Sequence, residues 1–324
     1  QEGLIIPPIK LVKRGRINQE VVEVLCRNSR TPDERRGDLA AQLAACRVGE
    51  RRLKEIVSRY GWEDTLEHMS ALLDYSERLT RSSISGIPDG WYVGSDYLED
   101  DGLTEDPLLI QVAVRIRGDE MDVDFNGTAS QTAGCVNAPL AIALSSVFYV
   151  LRCIVGEQVP ANDGVMRPVT VKAPENSLVN PAAPHAVSGG NVETSQRIVD
   201  VLLTALSKAL PSVIPAASQG TMNNLLVGGH NHLQNKSYAY YETIGGGMGA
   251  RPGKNGLSGI HTHMTNTMNT PIEALELQFP FRILRYLLRP NSGGKGAYRG
   301  GDGIVREMEF LGPATVTILS ECRR

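Results

Sequence analysis

The chain has 324 residues, a net charge of −3, 41% hydrophobic and 21% charged side chains, and only 5% aromatic residues. This is a globular rather than a disordered composition, long enough for one large core or two smaller ones. It excludes a basic field for nucleic acid, a polybasic membrane patch and an aromatic platform for stacked bases.

At the N-terminus, Leu4-Ile5-Ile6 is too short for a signal peptide and runs into Pro7-Pro8. The chain opens on Gln1 in a strand-like stretch, and it stops at a barely finished alternation from Thr315 to Ser320. It therefore reads as a portion of a longer subunit. Residues 38 to 82 are expected to form two helices. Asp38 is placed as N-cap, Leu43, Val48, Leu53 and Ile56 as a packing stripe, and Gly61 as the C-terminal cap. Leu66, Met69, Leu72, Leu73 and Leu79 mark the second helix. Residues 1–85 are thus a helical segment, and 86–324 a mixed region.

From Ile87 the period changes to two. Ile110, Val112, Val114 and Ile116 alternate with polar residues, Gly118-Asp119 reads as a hairpin turn, and Met121, Val123 and Phe125 return on one face. Asn137 and Pro139 open a buried helix to about Gly156. This apolar run holds Ser145, Ser146 and Arg152, so it is too short and too polar to span a bilayer. A strand follows at Val169 to Lys172. A strong helix follows Gly189-Gly190-Asn191, with Asn191 as cap and Ile198, Val201, Leu202, Ala205 and Leu206 inward. Ser237 to Thr243 is a further strand. Helices and strands mix irregularly, which implies an α+β (mixed α/β) fold with mixed or antiparallel sheets. Cys26, Cys46, Cys135, Cys153 and Cys322 form no CxxC pair, which argues for reduced thiols, a cytoplasmic setting and no cysteine-based zinc site.

Two C-terminal blocks are chemically unusual. His261-Thr-His-Met-Thr-Asn-Thr-Met-Asn-Thr-Pro-Ile-Glu273 carries polar groups where a strand would carry Val and Ile. Asn291 to Gly303 has six glycines in thirteen residues around Lys295 and Arg299, suited to close backbone approach. Gly245 to Ala250 fits GxGxxA formally, but Arg251-Pro-Gly cannot open a helix, so no pyrophosphate site follows. Gly294-Lys295 lacks the spacing and the Ser or Thr of a P-loop. His261 and His263, like His230 and His232, are two apart and on a strand would share a side, as ligands of a metal or as polar packing and substrate contacts. Asp122 and Asp124 form a candidate carboxylate pair for metal or acid–base work, but they oppose the apolar face of their hairpin, where solvation is the default. The Gly189-Gly190-Asn191 helix start reads either as an ordinary capped helix or as backbone N–H groups offered to an anion or polarised carbonyl, with His185 upstream to supply a proton or hydrogen bond and Glu193 in the first turn to tune it. No GxSxG elbow or catalytic cysteine signature is present.

Several segments in order carry a resemblance: Asn28-Ser-Arg-Thr-Pro32 with Gly37-Asp-Leu-Ala-Ala-Gln42, Val123-Asp-Phe-Asn-Gly-Thr128, and Asn137-Ala-Pro139. Pro160-Ala-Asn-Asp-Gly164, Met264-Thr-Asn-Thr267 with Pro271-Ile-Glu-Ala-Leu-Glu276, and Ser292-Gly-Gly294 with Tyr298-Arg-Gly-Gly-Asp-Gly303 complete it. Together they resemble the hydantoinase B family, which includes N-methylhydantoinase subunits, the C-terminal half of ATP-dependent 5-oxoprolinase, and acetone and acetophenone carboxylase subunits. The resemblance implies a cytoplasmic, hetero-oligomeric enzyme subunit. Its hydantoinase A-type partner binds ATP and phosphorylates a cyclic amide, and the B-type subunit acts on the activated intermediate. A ketone carboxylase subunit and a non-catalytic scaffold are the alternatives. By chemistry and motif match, Asn266, Thr267, Glu273 and Arg299 are the catalytic candidates, and His185, Gly190, Asn191, Asp124 and Asn137 the substrate-binding ones. The family's His/Asp metal motif belongs to an N-terminal region that this sequence lacks, so His261 and His263 are the lesser metal candidates.

Overall fold

The structure, a computed structural model, describes residues 4–232 and 234–321; Cys322 lies outside them. A small ribbon, β1 (Val12–Lys13) and β2 (Arg16–Ile17), precedes helices α1 (Gln19–Arg27), α2 (Pro32–Tyr60) and α3 (Trp62–Ile84). Strands β3 (Gly90–Leu98), β4 (Leu108–Arg117) and β5 (Glu120–Asp124) follow, then α4 (Leu140–Val155) and β6 (Val169–Lys172). Next come α5 (Ser195–Ser207), β7 (Asn224–Asn231), β8 (Lys236–Thr243) and α6 (Ile272–Gln278). The chain ends with β9 (Phe281–Leu288), β10 (Ile304–Phe310) and β11 (Ala314–Leu319).

One sheet has the order β3-β4-β5-β6, antiparallel except for the parallel β5–β6 pair. Its alternation is as the sequence implies: Ile110, Val112, Val114, Ile116, Met121, Val123 and Phe125 are all buried. Gly118 supplies the positive φ of the β4–β5 turn. Helix α5 lies across β3 and β4, closest at Gly94, where a Cβ would overlap the Val201 carbonyl oxygen. A second core lies under the β11-β7-β8 sheet and the β9–β10 ribbon, where Tyr238, Tyr240, Phe279, Phe281 and Phe310 pack ring against ring. The fold is α+β.

Three expectations need correction. Helix α2 starts at Pro32, not after Asp38, because proline's missing N–H and fixed φ suit a first helical position and Asp33 and Glu34 complement the dipole. Asp38 instead pairs with Arg35 one turn away. The stripe Leu43, Val48, Leu53 and Ile56 does not form a core, since no residue of α2 is buried. The block from His261 to Thr270 is a loop, not a strand. His263 has φ 52°, which turns the chain between the two histidines.

Candidate active site

The helix after Gly189 begins with a π-turn, Gly190–Thr194, before settling into α5. Such turns are rare and cluster at functional sites. Gly190 is required by packing, because a Cβ there would overlap the Asn137 carbonyl oxygen. Asn191 is therefore an exposed residue of the first turn rather than its cap.

Every residue of α5 from Ser195 to Leu202 is buried, so the helix needs partners on all sides. Its apolar side enters the main core. Its other side is a polar stripe, Glu193, Gln196, Arg197 and Asp200, spaced i, i+3, i+4, i+7. Each member meets a different element. The Met222 N–H lies 3.3 Å from Glu193 Oε1, Gln196 Nε2 donates to the Thr262 carbonyl at 2.9 Å, and the Arg197 guanidinium pairs with Asp96 of β3. Asp200 Oδ1 is 3.6 Å from His263 Nε2, and His263 Nδ1 is 3.2 Å from Tyr149 Oη on α4. The Asp200 and His263 side chains keep 9% and 12% exposure, sheltered but not sealed.

Burial sets the electrostatics. It pushes Glu193 up to about 7, against the hydrogen bonds of Thr221 and Met222. It pushes Asp200 up to about 6, partly offset by Arg197. It pushes His263 down to about 4 and raises Tyr149 well above the ordinary phenol. His263 is thus neutral near pH 7, and its contact with Asp200 is not an ion pair there. Tyr149 keeps its proton and can donate it to Nδ1, which leaves Nε2–H facing the carboxylate. Asp200, with its raised pKa beside a neutral imidazole, and Glu193 two turns earlier on the same stripe are suited to accept protons near neutrality.

The residues singled out by sequence are dispersed around this stripe. Asn266 and Thr267 are exposed on the loop that carries His263, and Glu273 is exposed in the first turn of α6. Arg299 sits in the glycine-rich loop, where Nη2 donates to Asp302 Oδ1 at 2.6 Å and its N–H donates to Asn255. Asp124 is engaged by the backbone and side-chain amides of Asn126. Asn137 is fully buried and ties Thr132, Gly134 and Ala186 together. His185 turns Nδ1 to the Ala182 carbonyl at 3.0 Å. The glycine-rich segments pack backbone on backbone, as at Gly247, where a Cβ would overlap the Gly301 carbonyl. The His261 ring nitrogens are buried, have no hydrogen-bond partner among the described residues, and feel the charge of Glu242. Gln196, Arg197, Asp200 and Tyr149 escaped the sequence reading. The signal was the helical spacing of polar residues inside an otherwise apolar segment.

Among the described residues no group of three or more His, Cys, Asp or Glu is arranged to hold a metal ion. His263 already serves Tyr149 and Asp200, and His261 sits in the field of Glu242 instead, so these two histidines do not make a metal centre by themselves. No helix among the described residues is long and apolar enough to cross a membrane.

An uncharacterized protein of Methanocaldococcus jannaschii is 42% identical over 99% of this chain and 55% of its own length. Arabidopsis thaliana 5-oxoprolinase 1 is 37% identical over the whole chain, which spans 26% of that protein. The ATP-dependent caprolactamase of Pseudomonas jessenii superimposes with a TM-score of 0.88 at 30% identity, over 97% of this chain and 55% of that one. An acetone carboxylase structure, at 19% identity, TM-score 0.86, and 98% and 44% coverage, shows the fold alone. The chain spans about half the length, or less, of these relatives. A family model described as hydantoinase B/oxoprolinase matches residues 1–324, and the chain belongs to that family.

Proposed function

We propose that the chain is the B-type part of an ATP-dependent cyclic amidohydrolase that opens a lactam or imide ring such as 5-oxoproline or a hydantoin. The observation that carries this reading is the whole-length family match, reinforced by the likeness to a caprolactamase. A hydantoinase A-type partner supplies ATP and phosphorylates the ring carbonyl oxygen, which turns an inert amide into an electrophile with a good leaving group. Asp200 then takes the proton of the attacking water as its oxygen bonds to the activated carbon. The ring C–N bond breaks as the nitrogen takes up a proton and leaves as the amine, and a second water hydrolyses the resulting acyl phosphate to the carboxylate and inorganic phosphate. His263, held by Tyr149, orients that carboxylate, and Glu193 fixes the Thr221–Met222 segment opposite. The reading places the reaction in the cytoplasm, and Cys26, Cys46 and Cys153 form no disulfide among the described residues. No step is routed through a metal.

The test is co-expression of the full natural protein with its A-type partner. Lactam-dependent ATP hydrolysis without bicarbonate is the expected result. Hydrolysis that requires a ketone and bicarbonate would replace this reading with the carboxylase one. A variant that assembles normally with Asp200→Asn and keeps full turnover would reduce the chain to a scaffold.

A further inference from the structure

A groove of about 520 Å³ lies beside β10, away from the α5 stripe, within the size range of small-molecule sites. Strand β10 alternates, with Ile304, Met308 and Phe310 on the groove side and Glu307 and Glu309 exposed on the other. Arg306 occupies the groove side too, a position that alternation assigns to an apolar residue. Its side chain is only 3% exposed. Nη2 is 3.2 Å from Glu242 Oε2, and the guanidinium carbon is 4.5 Å from the centre of the Tyr286 ring. Yet Nε, Nη1 and Nη2 have no hydrogen-bond partner among the described residues. The Glu242 carboxylate offsets the charge through Nη2, but Nε and Nη1 stay unmet, and unmet buried donors are costly.

A second unmet donor faces the same groove. Asn224 Nδ2 is buried without a partner, whereas its Oδ1 accepts hydrogen bonds from the Tyr241 and Thr243 hydroxyls. With the Tyr241 and Thr243 hydroxyls donating to Oδ1, the N–H₂ is the end of the amide left toward the groove. Arg289 adds a second cation to the lining; among the described residues no Asp or Glu lines the groove, and the Glu242 carboxylate that pairs with Arg306 lies behind it. The remaining walls, such as Leu225, Ile244 and Val316, are apolar. A guanidinium fork and an amide N–H₂ match the two oxygens of a planar carboxylate, and the walls match a short hydrocarbon body.

We propose that this groove binds a small organic carboxylate, with Arg306 and Asn224 holding its oxygens. The inference does not rest on the proposed amidohydrolase activity. Calorimetric titration of the full chain with butyrate, butyramide and inorganic phosphate tests it. Butyrate is expected to bind saturably, at least about tenfold more tightly than butyramide or phosphate. Arg306→Gln and Asn224→Asp, the latter placing negative charge at the amide, are each expected to weaken butyrate by about tenfold or more, and Arg289→Gln by about twofold to threefold. Circular dichroism identifies which variants fold, and Arg289→Gln, being exposed, keeps the test open if the buried variants do not. Phosphate binding in preference to butyrate, no saturable butyrate binding, or equal butyrate affinity across the folded variants would overturn the proposal.

Discussion

Helix α5 buries every residue from Ser195 to Leu202, charged side chains included, whereas the 29-residue α2 buries none. The two invert the usual correspondence between pattern and burial. On α2 the apolar stripe faces outward, and the visible polar interactions are exposed pairs such as Arg52–Glu55 and Lys54–Glu50, which solvent screens. On α5 the polar stripe faces inward and is met, residue by residue, by Asp96, Thr262, His263 and Met222. A polar group is kept inside against a desolvation cost of several kcal/mol when its chemistry is used. Burial of polar groups, not apolar periodicity, therefore locates the site.

Breaking the contrast at Asp200 has the largest expected effect. Asp200→Asn is expected to lower turnover of the assembled enzyme by about 10²–10⁴-fold, measured as substrate-dependent ATP hydrolysis on enzyme shown by circular dichroism to be folded. Next is the packing contact beneath the helix. Gly94→Ala drives a methyl into the Val201 carbonyl, so urea unfolding is expected to show a loss of about 1–3 kcal/mol.

The pH dependence of stability sharpens the comparison further. Asp200 has a raised folded pKa, so its contribution is fully present below its unfolded pKa and is lost as pH rises toward about 6. Glu193 behaves likewise up to about 7. His263, with a lowered pKa, has the opposite sign: its contribution is lost as pH falls below the ordinary histidine range toward about 4. Removing Asp200 as Asn is thus expected to make the stability slope between about pH 4 and 6 more positive, by at most about 1.4 kcal/mol per pH unit, as read from urea unfolding across that range. The smallest effect is on α2. Gly49→Ala meets open space in a helix interior and is expected to stabilise the protein by about 0.5–1 kcal/mol, the reverse sign to Gly94→Ala.

Local rules made much of the fold legible. The β4–β5 hairpin was readable because strict alternation and Gly118 leave one register. The ends of α2 and α4 were readable at Gly61 and Gly156, both with positive φ. Burial of α2 was not, because an apolar stripe states what a helix can bury and not whether a partner is present. The site was half legible. The Gly189–Asn191 helix start and Glu193 were visible. Asp200 and Tyr149 were hidden, since their partner His263 arrives by a long-range loop whose positive φ at a non-glycine residue no local pattern announces. Arg306 and Glu242 were hidden for the same reason: each breaks a strand's alternation singly, and only their meeting across two sheets makes them a pair.

The central claim, that the buried stripe of α5 carries the proton transfer, is tested most directly by the pH profile of lactam-dependent turnover in the assembled complex. Wild-type kcat/KM is expected to rise through an acid limb with an apparent pKa of about 6–7, the range of Asp200 and Glu193. In Asp200→Asn that limb is expected to disappear with most of the rate. An Asp200→Asn enzyme that assembles, keeps a rate within about twofold of wild type and retains the same acid limb would contradict the account.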